Sequence, residues 1–94
     1  MHPLIEAHRS EIRALAEHRG IRDVRVFGSM ARGDADETGD VDLLVTLPPG
    51  RTGLALGGLL MDVQKLLRRR VEVLTERALH PALRERIRRE AEPL

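Results

Sequence analysis

A nearly continuous apolar segment in the middle of the chain, Val41 to Leu47, restricts the fold more than any other feature of the sequence. Only Asp42 and Thr46 interrupt it, and the cluster Pro48, Pro49 and Gly50 ends it. A short apolar run closed by turn residues is typical of a strand that is buried on both faces. The segment therefore predicts a strand in the interior, which other elements must cover.

The rest of the chain alternates helices with short strands. The predicted elements are a helix from Pro3 to Arg19, a strand over 24–27, one or two helical turns over 30–33, a surface loop over 34–39, the strand 41–47, a leucine-rich helix after Thr52, a strand over 71–74 and a last helix from Pro81 to Ala91. This order, αβαβαβα, predicts a two-layer α/β domain in which a mixed sheet of three strands has helices packed on one side. No repeat or long linker divides the chain, so residues 1–94 are expected to form one domain.

The composition excludes several classes of function. The formal net charge is only +1 and the only aromatic residue is Phe27, so direct nucleic-acid binding is not expected. No apolar run approaches membrane-spanning length and cysteine is absent, which favours a cytoplasmic protein with no membrane association. A chain of 94 residues has a modest core, which favours support from a partner or from self-association.

Gly28 and Ser29 follow the first predicted strand and can form a phosphate-binding turn. The missing side chain of Gly28 lets a phosphate approach the backbone, while N–H groups and the Ser29 hydroxyl can donate to it. Arg32, one helical turn later, can add a guanidinium. The alternative is an ordinary turn in which Ser29 caps the short helix.

Two acidic residues, Asp40 and Asp42, lie at the start of the apolar strand. Because side chains alternate along a strand, both emerge on one face with Cα atoms roughly 6.5 Å apart. Such a pair at the start of a buried strand is costly unless a positive charge neutralises it, and a hard divalent cation would do so. The alternative is that Asp40 belongs to the turn and that Asp42 pairs with Arg25 or Arg32.

Glu72 is the only acidic residue of the third predicted strand. If that strand lies beside the strand of Asp42, Glu72 becomes a third carboxylate that can bind metal or accept the proton of an attacking hydroxyl. The alternative is an exposed Glu72 that pairs with Arg69 or Arg70.

The combined pattern resembles the nucleotidyltransferase superfamily of the DNA polymerase β type, over nearly the whole chain. It is most similar to the minimal nucleotidyltransferases, antitoxin-like proteins that accompany HEPN-domain toxins. The motif of that family is Gly-Ser-x-Ala-Arg-Gly, a short loop and then Ser-Asp-x-Asp-Leu, with a third acidic residue on a later strand. The matching residues are Gly28, Ser29, Ala31, Arg32, Gly33, Asp40, Asp42 and Leu43.

The resemblance implies a catalytic and metal-binding set of Asp40, Asp42 and Glu72, which would hold Mg²⁺, in two ions, around ATP bound at Gly28, Ser29 and Arg32. It further implies transfer of AMP to a hydroxyl, expected to be a tyrosine of a HEPN-domain toxin. Such a reaction would make the protein an antitoxin.

Two departures from the motif keep other functions open. Gly39 stands where the family usually has serine, and Glu72 stands where it usually has aspartate. Because in-line transfer is sensitive to displacements of about 1 Å, a weak or inactive module that binds nucleotide and neutralises a partner is the first alternative. A nucleotidyltransferase acting on a small molecule is the second.

Overall fold

A computed structural model of the chain describes residues 1–36 and 38–94. Position 37, inside the predicted loop 34–39, lies outside the described residues. The elements are α1 (Pro3–His18), β1 (Arg22–Phe27), α2 (Ser29–Arg32), β2 (Val41–Thr46), α3 (Gly53–Leu67), β3 (Val71–Leu74), a short 3-10 helix (Glu76–Ala78), α4 (Pro81–Glu90) and β4 (Glu92–Pro93).

The sheet is mixed, as predicted, but in the described part of the chain it has four strands, in the order β3-β2-β1-β4. The prediction of three strands was wrong because β4 is only two residues long and contains Pro93, so it shows no alternating pattern. It pairs antiparallel with β1 through Arg25 opposite Pro93 and Val26 opposite Glu92. Strand β1 also pairs antiparallel with β2, and β2 runs parallel to β3.

The main core lies between the sheet and the two long helices, which confirms the predicted layers. Helix α1 starts at Pro3 because the His2 ring accepts a hydrogen bond of 3.0 Å from the Leu4 N–H. Thr52 caps α3 in the same way through the Leu54 N–H, at 3.3 Å. The fully buried side chains Ile5, Ile12, Val26, Met30, Val41, Leu43, Leu59 and Val63 fill this layer.

The opposite face of the sheet carries a smaller cluster, in which α4 takes part. Phe27 and Leu44 alternate with the residues of the main core along their strands, so they point to the other face. There they pack with Leu79 and with Ile87 of α4. Strand β2 is thus buried from both sides, as its apolar sequence predicts.

Across residues 1–36 and 38–94, none of the helices has the length and apolar content needed to cross a membrane.

Candidate active site

A cleft of about 530 Å³ lies where the ends of β1 and β2 meet α4. Its volume is in the range of small-molecule and cofactor sites. Asp42 stands opposite Phe27 in the antiparallel pairing, which brings the Gly28–Ser29 turn beside the acidic start of β2. The cleft is lined by Phe27, Gly28, Ser29, Arg32, Thr38, Asp40, Asp42, Arg86, Ile87 and Glu90.

Gly28 has a backbone conformation that only glycine adopts readily, with φ +73° and ψ −153°. A Cβ at this position would lie 2.6 Å from the Asp42 Oδ2 atom. The missing side chain therefore leaves the space in which the Asp42 carboxylate faces the phosphate-binding turn. The sequence predicts an anion-binding turn at Gly28, and in the structure Gly28 and Asp42 are direct neighbours.

The Asp42 carboxyl group holds its proton more tightly than a free aspartic acid does. Partial burial is the main reason that the pKa of Asp42 is raised to about 6, and the neighbouring Glu72 carboxylate is the next. Glu72 contributes both through its charge and through a hydrogen bond with Asp42. The charges of Asp40 and Glu90 act in the same direction.

Glu72 lies directly beside Asp42, as the sequence predicted for adjacent strands. The two residues are register partners in the parallel pairing of β2 with β3, so their side chains emerge on one face. Glu72 is exposed and flanks Asp42 on the side away from Phe27. Within the described part of the chain it does not line the cleft itself.

Two parts of the simpler alternatives agree with the structure, since Asp40 precedes β2 and Glu72 is exposed. The arginine pairings that they proposed are absent among the described residues. Arg25 pairs with Glu76 at 3.5 Å, whereas Arg32 pairs with Asp34 at 3.1 Å and with Glu90, so neither pairs with Asp42.

Arg69 does not pair with Glu72 either. Its guanidinium donates to the backbone oxygens of Asp36, at 3.0 Å, and Gly39, at 3.4 Å. Arg69 thus holds the loop that precedes Asp40.

Gly39 is required by the packing of that loop. A Cβ at position 39 would lie 2.8 Å from the Ala35 Cβ and 3.3 Å from the Asp36 carbonyl oxygen. A serine would force the loop to shift. The packing of the local backbone therefore explains why glycine stands where the family motif has serine.

The contribution of α4 to the cleft was missed by the sequence argument. Buried Ile87 anchors this helix to the sheet. Arg86 and Glu90, which flank Ile87 in the helix, line the cleft with it. The Glu90 side chain is only 19% exposed and forms an ion pair with Arg32. The sequence does show Arg86 and Glu90 close to the apolar position 87 at helical spacing, so it could have predicted that they flank the buried side of the helix. It does not show which face of the sheet the helix covers.

The sequence matches the nucleotidyltransferase domain family over residues 5–93. The chain belongs to that family.

Two relatives extend over almost the whole length of the nucleotidyltransferase. A Methanocaldococcus jannaschii protein, named as a candidate protein adenylyltransferase, is 38% identical over 86 residues, which are 92% of this chain and 91% of the relative. The protein adenylyltransferase MntA of Thermococcus cleftensis is 33% identical over 87 residues, 93% of this chain and 85% of the relative.

Solved structures confirm the fold. A candidate minimal nucleotidyltransferase superposes with a TM-score of 0.86 at 46% identity, and the match covers 96% of this chain and 92% of that one. A toxin–antitoxin structure with AMP-PNP superposes with a TM-score of 0.76 at 17% identity and covers 89% of this chain and 69% of that one. This nucleotidyltransferase is of the minimal type.

Gly28→Ala is expected to destabilise the nucleotidyltransferase by about 1–3 kcal/mol, because alanine is strained in the Gly28 backbone conformation and its Cβ displaces the Asp42 carboxylate. Urea denaturation measures the change. Gly50→Ala is the matched control, since Gly50 also has a positive φ, +87°, but has open space around it. A smaller loss for Gly28→Ala than for Gly50→Ala would contradict the close packing of Gly28 on Asp42.

Proposed function

We propose that this nucleotidyltransferase transfers AMP from ATP to a hydroxyl of a partner protein, in a reaction that depends on Mg²⁺. The observation that carries the proposal is the meeting of the Gly28–Ser29 turn, Asp40 and Asp42 around one cleft of nucleotide size, with Glu72 in register beside Asp42. A phosphate-binding turn next to convergent carboxylates supplies the two elements that phosphoryl transfer needs.

The carboxylates fit a divalent cation by their chemistry. They offer the oxygen ligands that Mg²⁺ prefers. Partial burial and the neighbouring Glu72 carboxylate raise the pKa of Asp42, and a cation beside it would offset both effects. Among the described residues no group of three acidic or histidine side chains is placed to hold one metal ion by itself. Asp40 and Asp42 would hold the ions, and Mg²⁺ would neutralise the phosphate oxygens on which charge develops.

Residues of the chain itself would bind the triphosphate and accept the proton of the acceptor hydroxyl. The Gly28 backbone, the Ser29 hydroxyl and Arg32 hold the triphosphate. The acceptor oxygen forms a bond with the α-phosphorus while the bond from that phosphorus to the oxygen bridging to the β-phosphate breaks, and pyrophosphate leaves. We assign to Glu72 the acceptance of the hydroxyl proton, because its carboxylate is exposed beside Asp42.

The acceptor is proposed to be a tyrosine of a HEPN-domain toxin, which the modification would silence. The chain contains no tyrosine, so such an acceptor has to come from another molecule. The names of the two relatives, both given as protein adenylyltransferases, support a protein acceptor. The likeness to a toxin–antitoxin structure supports a toxin as that protein.

A second candidate function is neutralisation of the partner by binding alone. Glu72 carries one methylene more than the aspartate of the family motif, which displaces its carboxylate relative to Asp42. This module would retain nucleotide binding and lose transfer.

The proposal is tested by incubating the purified protein with the product of the adjacent gene, ATP and Mg²⁺, followed by intact-mass measurement of both proteins. We expect the partner to gain the mass of one or more AMP groups, and a chelator to abolish the gain, because the triphosphate and the carboxylates repel each other without a cation. Transfer that persists in the chelator would overturn the metal assignment.

The other outcomes separate the alternatives. A stable complex in which both masses are unchanged, although ATP binds, supports the second candidate. An unmodified partner that forms no complex, together with consumption of ATP in the presence of a small-molecule acceptor, would indicate the small-molecule transferase instead.

A further inference from the structure

Helix α4 is held in a fixed orientation against the cleft. Pro81 begins it, and the His80 ring caps it by accepting a hydrogen bond of 3.1 Å from the Ala82 N–H. Buried Ile87 fixes the side that faces the sheet. Residues three or four positions apart lie on the same face of a helix, whereas adjacent residues do not. Because Ile87 faces the sheet, the orientation of α4 determines which of its arginines reach the cleft.

The arginines of α4 divide into two groups. Arg84 and Arg88 bind the segment before the helix: Arg84 donates to the Glu76 carbonyl oxygen at 3.2 Å, and Arg88 donates to both carboxylate oxygens of Glu76 at 3.0 and 3.1 Å. Arg86 and Arg89 have no carboxylate within salt-bridge distance among the described residues. Of these two, Arg86 lines the cleft and Arg89 does not.

The cleft has two arginines, and they are not equivalent. Arg32 is already engaged by Asp34 and Glu90, so a phosphate has to compete with two carboxylates for it. Arg86 faces no such competition in the described part of the chain. An anion that enters the cleft therefore meets Arg86 as the available guanidinium, whose planar set of donors suits a phosphate.

We propose that Arg86 binds the polyphosphate of the nucleotide, so that α4 contributes to the triphosphate site in addition to the Gly28–Ser29 turn. The assignment rests on the proposed function in taking a nucleoside triphosphate as the ligand. It extends that function because the sequence motifs place the whole phosphate site between residues 28 and 42, whereas Arg86 lies on a helix outside both motifs. Arg86 is a binding residue here, and the chemical step does not require it.

The test is calorimetric titration of the full chain with ATP and with AMP, both in excess Mg²⁺, for the parent protein, Arg86→Gln and Arg86→Lys. Arg86→Gln is expected to weaken ATP binding at least tenfold, because a charge-assisted hydrogen bond is lost, and to change AMP binding less than threefold. Arg86→Lys is expected to lie between, since it keeps the charge and loses the planar fork.

Arg89→Gln is the matched control, since it removes the same charge from the same exposed helix away from the cleft, and its ATP affinity should stay within about twofold. An equal loss in both variants would reduce the effect to general charge and overturn the assignment, as would unchanged ATP affinity in Arg86→Gln. Unchanged ATP affinity together with weakened partner binding would indicate that Arg86 contacts the partner protein and not the nucleotide. If the parent protein binds no ATP, the proposed function fails together with this inference, which distinguishes that failure from the failure of Arg86 alone.

Discussion

Asp42→Asn is expected to lower nucleotidyl transfer about 10³-fold or more while the protein remains folded. The carboxylate of Asp42 stands between Gly28 and Glu72 and is proposed to hold Mg²⁺, whose charge stabilisation contributes several kcal/mol to a phosphoryl transfer. Mass measurement of the partner over time gives the rate. Calorimetry is expected to show that Mg²⁺ no longer increases the affinity for ATP.

The same variant is expected to raise stability at neutral pH in the absence of divalent ions. The pKa of Asp42 is about 6 in the folded protein, above the ordinary value of 3.8, because of burial and the charge of Glu72. The folded state therefore binds this proton more tightly than the unfolded state, so stability is lost as the pH rises from about 4 to above 6. Asparagine removes that loss and can donate to the Glu72 carboxylate.

Because Asp42 is only partly buried, solvent screening leaves a gain of about 1 kcal/mol. For a domain of this size that gain raises Tm by roughly 4–8 °C at pH 7. Thermal denaturation in a chelating buffer at pH 4 and pH 7 measures it, and the gain should be largest at pH 7. Asp23→Asn is the control, since Asp23 is exposed, does not line the cleft and has a positive φ of 53° that asparagine tolerates. Unfolding of Asp42→Asn, or more than a tenth of the parent transfer rate, would contradict the assigned role.

Glu72→Gln is expected to bind ATP with Mg²⁺ nearly as well as the parent protein and to transfer about 10²–10⁴-fold more slowly, as loss of a general base predicts. The split between binding and rate is the informative quantity, since a purely structural residue would change stability and not the rate of the bound complex. Calorimetry gives the affinity, and single-turnover transfer to the partner gives the rate.

Glu92→Gln is the control for this variant because Glu92 is an exposed glutamate on β4, the edge strand at the other side of the sheet. Transfer by Glu72→Gln at the parent rate would remove Glu72 from the reaction. Glu72→Asp shortens the side chain to the family's aspartate, and a faster reaction would show that the extra methylene costs positioning.

The sequence predicted the features that depend on local pattern. Three features are each set by a few neighbouring residues: the apolar run of β2, the start of α3 after Thr52 and the Gly28–Ser29 turn. Hydrophobic period and turn chemistry were therefore sufficient to predict them. Strand alternation predicted that Asp40 and Asp42 lie near each other, and both line the cleft, although β2 begins only at Val41 and Asp40 lies just before it. The placement of Glu72 beside Asp42 needed one assumption, that β2 and β3 are neighbours, and the parallel pairing confirms it.

The fourth strand and the contribution of α4 to the cleft were decided by tertiary structure. Strand β4 exists because β1 offers an open edge to Glu92 and Pro93, two residues that carry no strand pattern of their own. Helix α4 brings Arg86 and Glu90 to the cleft because Ile87 packs with Phe27 and Leu44 on the face opposite the main core. Helical spacing shows that Ile87 must be buried, but the choice of sheet face depends on which face the earlier elements leave uncovered, and that is a property of the assembled fold.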